Sequence, residues 1–165
     1  MKIKSYIEIL RDKKSYDYDK KTQSPVWLDT FRLWVNDGIA FTSKCQSVAI
    51  YNCSILESIA PMRFECRLFA EQRSYTNPVH ELINAMDMEG EEIDGKAMQV
   101  DAEHGIQGRW LIHDDYNPKT MKAYTKPWSS GCIMLPWKNH IMFNSDLRNL
   151  GYCRGDIIPI EIKEV

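Results

Sequence analysis

The feature that most limits what this chain can fold into is a two-residue alternation of side chains, repeated in short runs broken by turn residues. The clearest run spans residues 30–43, where Phe31, Leu33 and Val35 alternate with Arg32 and Trp34, Asn36-Asp37-Gly38 follow, and Ile39, Ala40 and Phe41 resume the apolar character. A period of two places successive side chains on opposite faces of an extended strand, and Asn, Asp and Gly tolerate the left-handed backbone of a tight hairpin. The segment predicts a β-hairpin.

Further strands follow from the same alternation. Residues 2–10 put Ile3, Ile7 and Ile9 on one face; residues 63–70 put Phe64, Cys66 and Leu68 inward and Arg63, Glu65 and Arg67 outward; residues 48–56 form another candidate. Residues 59–62 read as a turn, and residues 157–162 as a last strand whose Pro159 favours an edge or a bulge. Two helices are expected. Asn77 as N-cap, Pro78 at the first helical position and apolar Val79, Leu82, Ile83 and Met86 predict one, ending near Gly90. Asn144 or Ser145 opens a second, through Leu147 and Leu150 to a stop at Gly151. The charged residues 11–24 read as an exposed loop and the acidic residues 87–94 as a solvated rim. Six or seven strands with two helices make a mainly β chain.

A length of 165 residues suits one domain, 1–165, with a sizeable core. The net charge of −2 gives no electrostatic argument for a nucleic-acid partner. No run is long enough to span a membrane, and residues 1–14 thread charges through their apolar residues as an export signal does not. Five cysteines, with no Cys-x-x-Cys pair and no metal-type histidine spacing, predict neither a metal site nor another cofactor. Cys45, Cys53, Cys66 and Cys153 are expected to be small buried hydrophobes rather than two disulfides. Cys132 is the candidate free thiol.

The chemistry concentrates in residues 110–135. An apolar run, Trp110, Leu111 and Ile112, delivers His113; a polar segment follows; Ser129, Ser130, Gly131 and Cys132 close it. A thiol is a poor nucleophile at neutral pH, and a neighbouring imidazole can take its proton and hold the thiolate as an ion pair. Cys132 is therefore the candidate nucleophile and His113 its base, with His104 in reserve. Gly131 lets a carbonyl approach the backbone, the amides around Gly131 and Cys132 can face a developing oxyanion, and Ser129 and Ser130 suit a crowded polar site. Trp128 is placed to wall a substrate cleft. Arg109, with Lys119, Lys122 and Lys126, can recognise a carboxylate. Asp114 sits where it can border substrate or hold the other imidazole nitrogen. The plainer alternatives are a buried cysteine in a glycine turn and a histidine that caps a strand or pairs with Asp114 or Asp115; His80 is expected to be a surface or packing residue.

These residues carry a resemblance to the L,D-transpeptidase catalytic domain. Its signature, a histidine at a strand end followed later by Ser or Thr, a variable residue, Gly, Cys and an apolar residue, is matched by His113 and by Ser129, Ser130, Gly131, Cys132 and Ile133. Met134 stands where the family usually carries an arginine, and Asp114 follows His113 where the family usually has glycine. The resemblance implies a sandwich of two mixed sheets with one or two peripheral helices. It also implies attack by Cys132 on a peptidoglycan stem peptide through a thioacyl enzyme. The outcome is then cross-linking, D-amino acid exchange or L,D-carboxypeptidase trimming, according to the acceptor. Such a substrate implies the periplasm or cell wall, or delivery as an antibacterial effector. Two alternatives remain: a non-catalytic wall-binding or protein-binding domain on the same fold, and a cysteine peptidase or amidase of another fold, which would place a helix directly after Cys132.

Overall fold

In the computed structural model of the chain, the described residues are 3–17, 25–48, 58–71, 77–86, 110–123 and 132–165. They form β1 (Ser5–Arg11), a 3-10 turn (Lys13–Asp17), β2 (Asp29–Val35), β3 (Gly38–Cys45), β4 (Arg63–Glu71), β5 (Val79–Met86), β6 (Trp110–Asp114), β7 (Tyr116–Asn117), β8 (Lys122–Ala123), β9 (Ile133–Leu135), α1 (Trp137–Asn149) and β10 (Ile157–Glu164). The protein is mainly β. Eight strands make one mixed sheet in the order β3-β2-β1-β10-β4-β5-β6-β9, and β7 pairs with β8 in a small second sheet. Two pairings, β1 with β10 and β6 with β9, are parallel.

The large sheet curls almost into a barrel. Gln46, one residue past β3, bridges Met134 of β9 with reciprocal amide hydrogen bonds of 2.9 Å, so the first and last strands of the order meet. A buried polar network fixes the chain at this seam. Asp29 accepts hydrogen bonds from the amides of Asp12 (2.8 Å) and Ser47 (2.9 Å) and from the hydroxyls of Ser15 (2.5 Å) and Ser47 (2.6 Å). The fully buried Arg11 donates to Ser47 Oγ at 2.8 Å and to its carbonyl at 2.6 Å. A buried guanidinium and a buried carboxylate are thus joined through one serine, which leaves neither charge unsolvated.

The hairpin forms as its turn chemistry predicts. Asn36 and Asp37 both adopt left-handed backbone (φ 48° and 68°), which matches the twist of the flanking strands. Phe31, Leu33 and Phe41 point into the core with Ile7, Ile9, Phe64, Cys66 and Leu68, whereas Ile3 is exposed. Arg11 is buried at the end of β1 instead of lying in an exposed loop.

Helix α1 lies on the outside of the sheet, as expected of a peripheral helix, with one face buried and the other exposed. His140, Phe143, Asn144 and Leu147 are buried along one face at helical spacing, and Phe143 packs edge-on against Phe31 with ring centroids 4.9 Å apart. It begins after Pro136, well ahead of the expected start, with Asp115 Oδ1 accepting the Trp137 amide at 2.8 Å. Asn144 is therefore an inward-facing residue, not a cap. Gly151 ends the helix in left-handed backbone (φ 92°), its amide bonded to the Arg148 carbonyl and that of Tyr152 to Leu147.

Three expectations are corrected. Residues 79–86 form β5, paired with β4 on one side and β6 on the other, not a helix. Left-handed Asn84 (φ 52°) and a register shift opposite it move the buried positions from His80 and Leu82 to Ala85, an irregularity that imitates helical spacing. The intended cap, Asn77, instead donates to Asp114 Oδ2 at 2.8 Å. Second, β10 is interior, between β1 and β4; its ladder with β1 starts at Ile160, one residue past Pro159. Third, Cys45 and Cys66 are buried as expected but Cys153 is exposed, and none of these three is in a disulfide. Cys53, most of the 48–56 candidate strand and the 87–94 rim lie outside the described residues. Among the described residues, no helix is long and apolar enough to cross a membrane.

Candidate functional site

The parallel ladder between β6 and β9 builds the site. Its register pairs Ile112 with Ile133, His113 with Met134 and Asp114 with Leu135. One step back sets Leu111 against Cys132, and the Leu111 amide donates to Cys132 Sγ at 3.4 Å. Paired residues on adjacent strands share a face, and residues two apart on a strand share one too. Trp110, Ile112, Ile133 and Leu135 supply the core face. Leu111, His113, Cys132 and Met134 therefore take the other, with Cys132 and His113 as diagonal neighbours. Such positions lie about 7–8 Å apart at the backbone, within reach of an imidazole.

His113 is held in one tautomer. Its Nδ1 lies 2.8 Å from the Asp114 carbonyl, which can only accept, so the neutral ring carries its proton on Nδ1 and keeps Nε2 as its basic atom. The orienting group is the main chain of Asp114. The Asp114 carboxylate is buried on the core side, where it accepts from Asn77 Nδ2 and from the Tyr116 amide at 3.1 Å.

Electrostatics keep the pair neutral. Burial pushes the Cys132 thiol up to about 11, against the lowering effect of the Leu111 amide. Burial also pulls His113 down to about 4, aided by nearby His140 and opposed by the Asp114 carbonyl and carboxylate. Both shifts favour the uncharged forms, a thiol and a neutral imidazole, over an ion pair. Attack would require the proton to leave sulfur as the new bond forms.

A second layer of histidines lies behind β6. His80 Nδ1 accepts the Phe69 amide at 3.0 Å, so its Nε2 donates to Asn144 Oδ1 at 2.6 Å. Asn144 Nδ2 and His140 Nε2 both donate to the Pro78 carbonyl, at 3.1 and 2.8 Å. His140 is fully buried and its pKa is lowered by that burial, while the carbonyls of Pro78 and His113 and the Asp114 carboxylate favour its charged form. Of the two roles expected for His80, surface or packing, it takes the second; His140 carried no expectation, and the helical spacing of 140, 143, 144 and 147 is the signal that places it inside.

Of the residues expected at the site, Cys132 and His113 share one sheet face and Cys132 keeps partial exposure, whereas the Asp114 carboxylate lies on the other face and only its carbonyl meets His113. Arg109, Trp128, Ser129, Ser130 and Gly131 lie outside the described residues, as do His104 and Lys126. Lys119 and Lys122 are exposed on the β7–β8 hairpin. Cys132 leads into strand β9 and not directly into a helix, unlike the arrangement expected of a papain-like enzyme.

The chain is 36% identical over 99 residues to an uncharacterized protein of Treponema pallidum (strain Nichols), a match covering 60% of this chain and 44% of that protein's length. The chain thus spans less than half of the relative it resembles. No family model and no solved structure matches it.

Proposed function

We propose that the protein is a cysteine-dependent acyltransferase of the L,D-transpeptidase type acting on peptidoglycan stem peptides. The observation that carries this reading is the sharing of one sheet face by Cys132 and His113, with His113 Nδ1 bonded to the Asp114 carbonyl. That bond directs the basic Nε2 away from the main chain, as a general base for a thiol requires. Cys132 Sγ attacks the amide carbonyl between the third residue of the stem and the D-alanine after it, and its proton passes to His113. The proton then goes to the departing amine, leaving a thioester. An amine acceptor gives a cross-link or an exchanged D-amino acid, and water gives trimming. The test is mass spectrometry of muropeptides incubated with the protein and with Cys132→Ala. Loss of D-alanine or a new dimer only with the native cysteine supports the proposal; identical products from both proteins overturn it.

A second reading, a wall-binding domain without turnover, has its own support. Met134 is fully buried between His113 and Gln46, and burial raises the pKa of the Cys132 thiol two positions before it. A carbapenem adduct on Cys132 would exclude that reading. Saturable muropeptide binding with no adduct and no product would favour it.

A further inference from the structure

At the C-terminal end of α1, away from the β6–β9 ladder, a cleft is lined by Phe69, Pro78, Arg148, Gly151, Tyr152, Cys153 and Arg154. We propose that this cleft binds an oxyanion, a phosphate or carboxylate carried on a flat or apolar body. The chain is slightly acidic overall, yet among the described residues this lining holds two arginines and no carboxylate. Among the described residues neither guanidinium makes an ion pair. Arg154 makes no side-chain hydrogen bond there either.

The two cations differ in how they are held. Arg148 lies over the Phe69 ring with its guanidinium carbon 4.7 Å from the centroid, a cation–π contact that holds the cation beside the cleft. Phe69 is itself held in left-handed backbone (φ 50°), a costly conformation for a bulky residue. It is kept there by the bond from its amide to buried His80 and by edge-on packing on that ring at 5.0 Å. The aromatic floor is thus fixed from below. A planar guanidinium fork fits a carboxylate or phosphate in two parallel hydrogen bonds, and the Phe69, Pro78 and Tyr152 surfaces offer contact to whatever bears the anion.

The test uses the whole protein titrated with phenyl phosphate, benzoate and inorganic phosphate, followed by calorimetry and by amide shifts of residues 148–154. Saturable binding of phenyl phosphate or benzoate is expected, with inorganic phosphate weaker because it lacks the ring. The better of the two aromatic ligands identifies the anion. Arg154→Gln, an exposed change outside the core, should weaken binding about 10- to 100-fold, the worth of a charge-assisted hydrogen bond. Cys132→Ala should leave it unchanged, which separates this cleft from the proposed thiol chemistry. No saturation at millimolar ligand, or equal affinity in Arg154→Gln and the native protein, overturns the proposal.

Discussion

The protonation state of Cys132 can be measured without knowing the substrate. With its thiol pushed to about 11, roughly one molecule in 10,000 is thiolate at pH 7, against about one in 100 for a thiol at the ordinary value of 9.0. A more basic thiolate is intrinsically more nucleophilic, and over this range the gain is roughly 10-fold. The two effects leave Cys132 alkylated by iodoacetamide about 10-fold more slowly than an unstructured cysteine at pH 7. The rate should climb with pH towards about 11, and His113→Ala should change it little. The assay is site-resolved mass spectrometry in a Cys153→Ser background, because Cys153 is exposed and would label first. Fast labelling that is flat from acidic to alkaline pH, and that His113→Ala abolishes, would refute this reasoning. It would mean that the imidazole already holds the sulfur as an ion pair and that coupling between them outweighs burial.

Phe143→Ala removes the side chain that joins α1 to Phe31 and Phe41, and should cost about 3–5 kcal/mol in denaturant unfolding. Asp29→Ala strips the partners from Ser47 and two main-chain amides and leaves buried Arg11 without its bridged carboxylate; a loss of about 3–5 kcal/mol is expected, with hydrogen exchange at the Gln46 and Met134 amides accelerating before global unfolding. Acid should destabilise the fold. His113 and His80, at about 4 and about 3 in the folded protein, contribute stability that is complete above the ordinary 6.5 and is lost as pH falls. Asp115, raised to about 6 chiefly by burial, works in the opposite sense, because protonation on acidification relieves its buried charge. Buried His140, also lowered, acts with them, so the histidines outweigh the one carboxylate and leave a net loss of at least about 1.4 kcal/mol per pH unit between roughly pH 6 and 4, read from urea midpoints. Asp115→Asn, which keeps the acceptor for the Trp137 amide, should add on the order of 1–2 kcal/mol at pH 7 and steepen the acid loss.

Local rules made most of the sheet legible. The hairpin was readable because its turn must use left-handed residues and its strands bury every second side chain, and both signals lie within a few positions. The same holds for β4, whose inward Phe64, Cys66 and Leu68 are read directly from alternation. Reading failed where a long-range pairing changed the local rule. The β5 irregularity at Asn84 faces the register shift between Arg63 and Glu65 of β4, a pairing that local spacing does not carry, and it turned a strand into an apparent helix. Pro159 misled in a related way: a proline counts against an interior strand only if a neighbour needs its missing amide, and the β1 ladder begins past it.

The site divides along the same line. Residue identities and their order single out His113 and Cys132, because base and nucleophile are named by chemistry. What sequence spacing does not carry is that eighteen intervening residues return the chain in parallel beside β6, so that the two strands run with His113 two positions beyond the partner of Cys132. That register makes the pair diagonal neighbours; a slip of one residue in β9 would turn the sulfur to the core face and leave the imidazole facing Leu135. The seam between Gln46 and Met134 is the contact that pins β9 against such a slip. The network of Asp29, Ser47 and Arg11 behind that seam therefore bears on the placement of Cys132 as much as on stability. Loosening it should expose Cys132 to alkylation before the rest of the sheet opens.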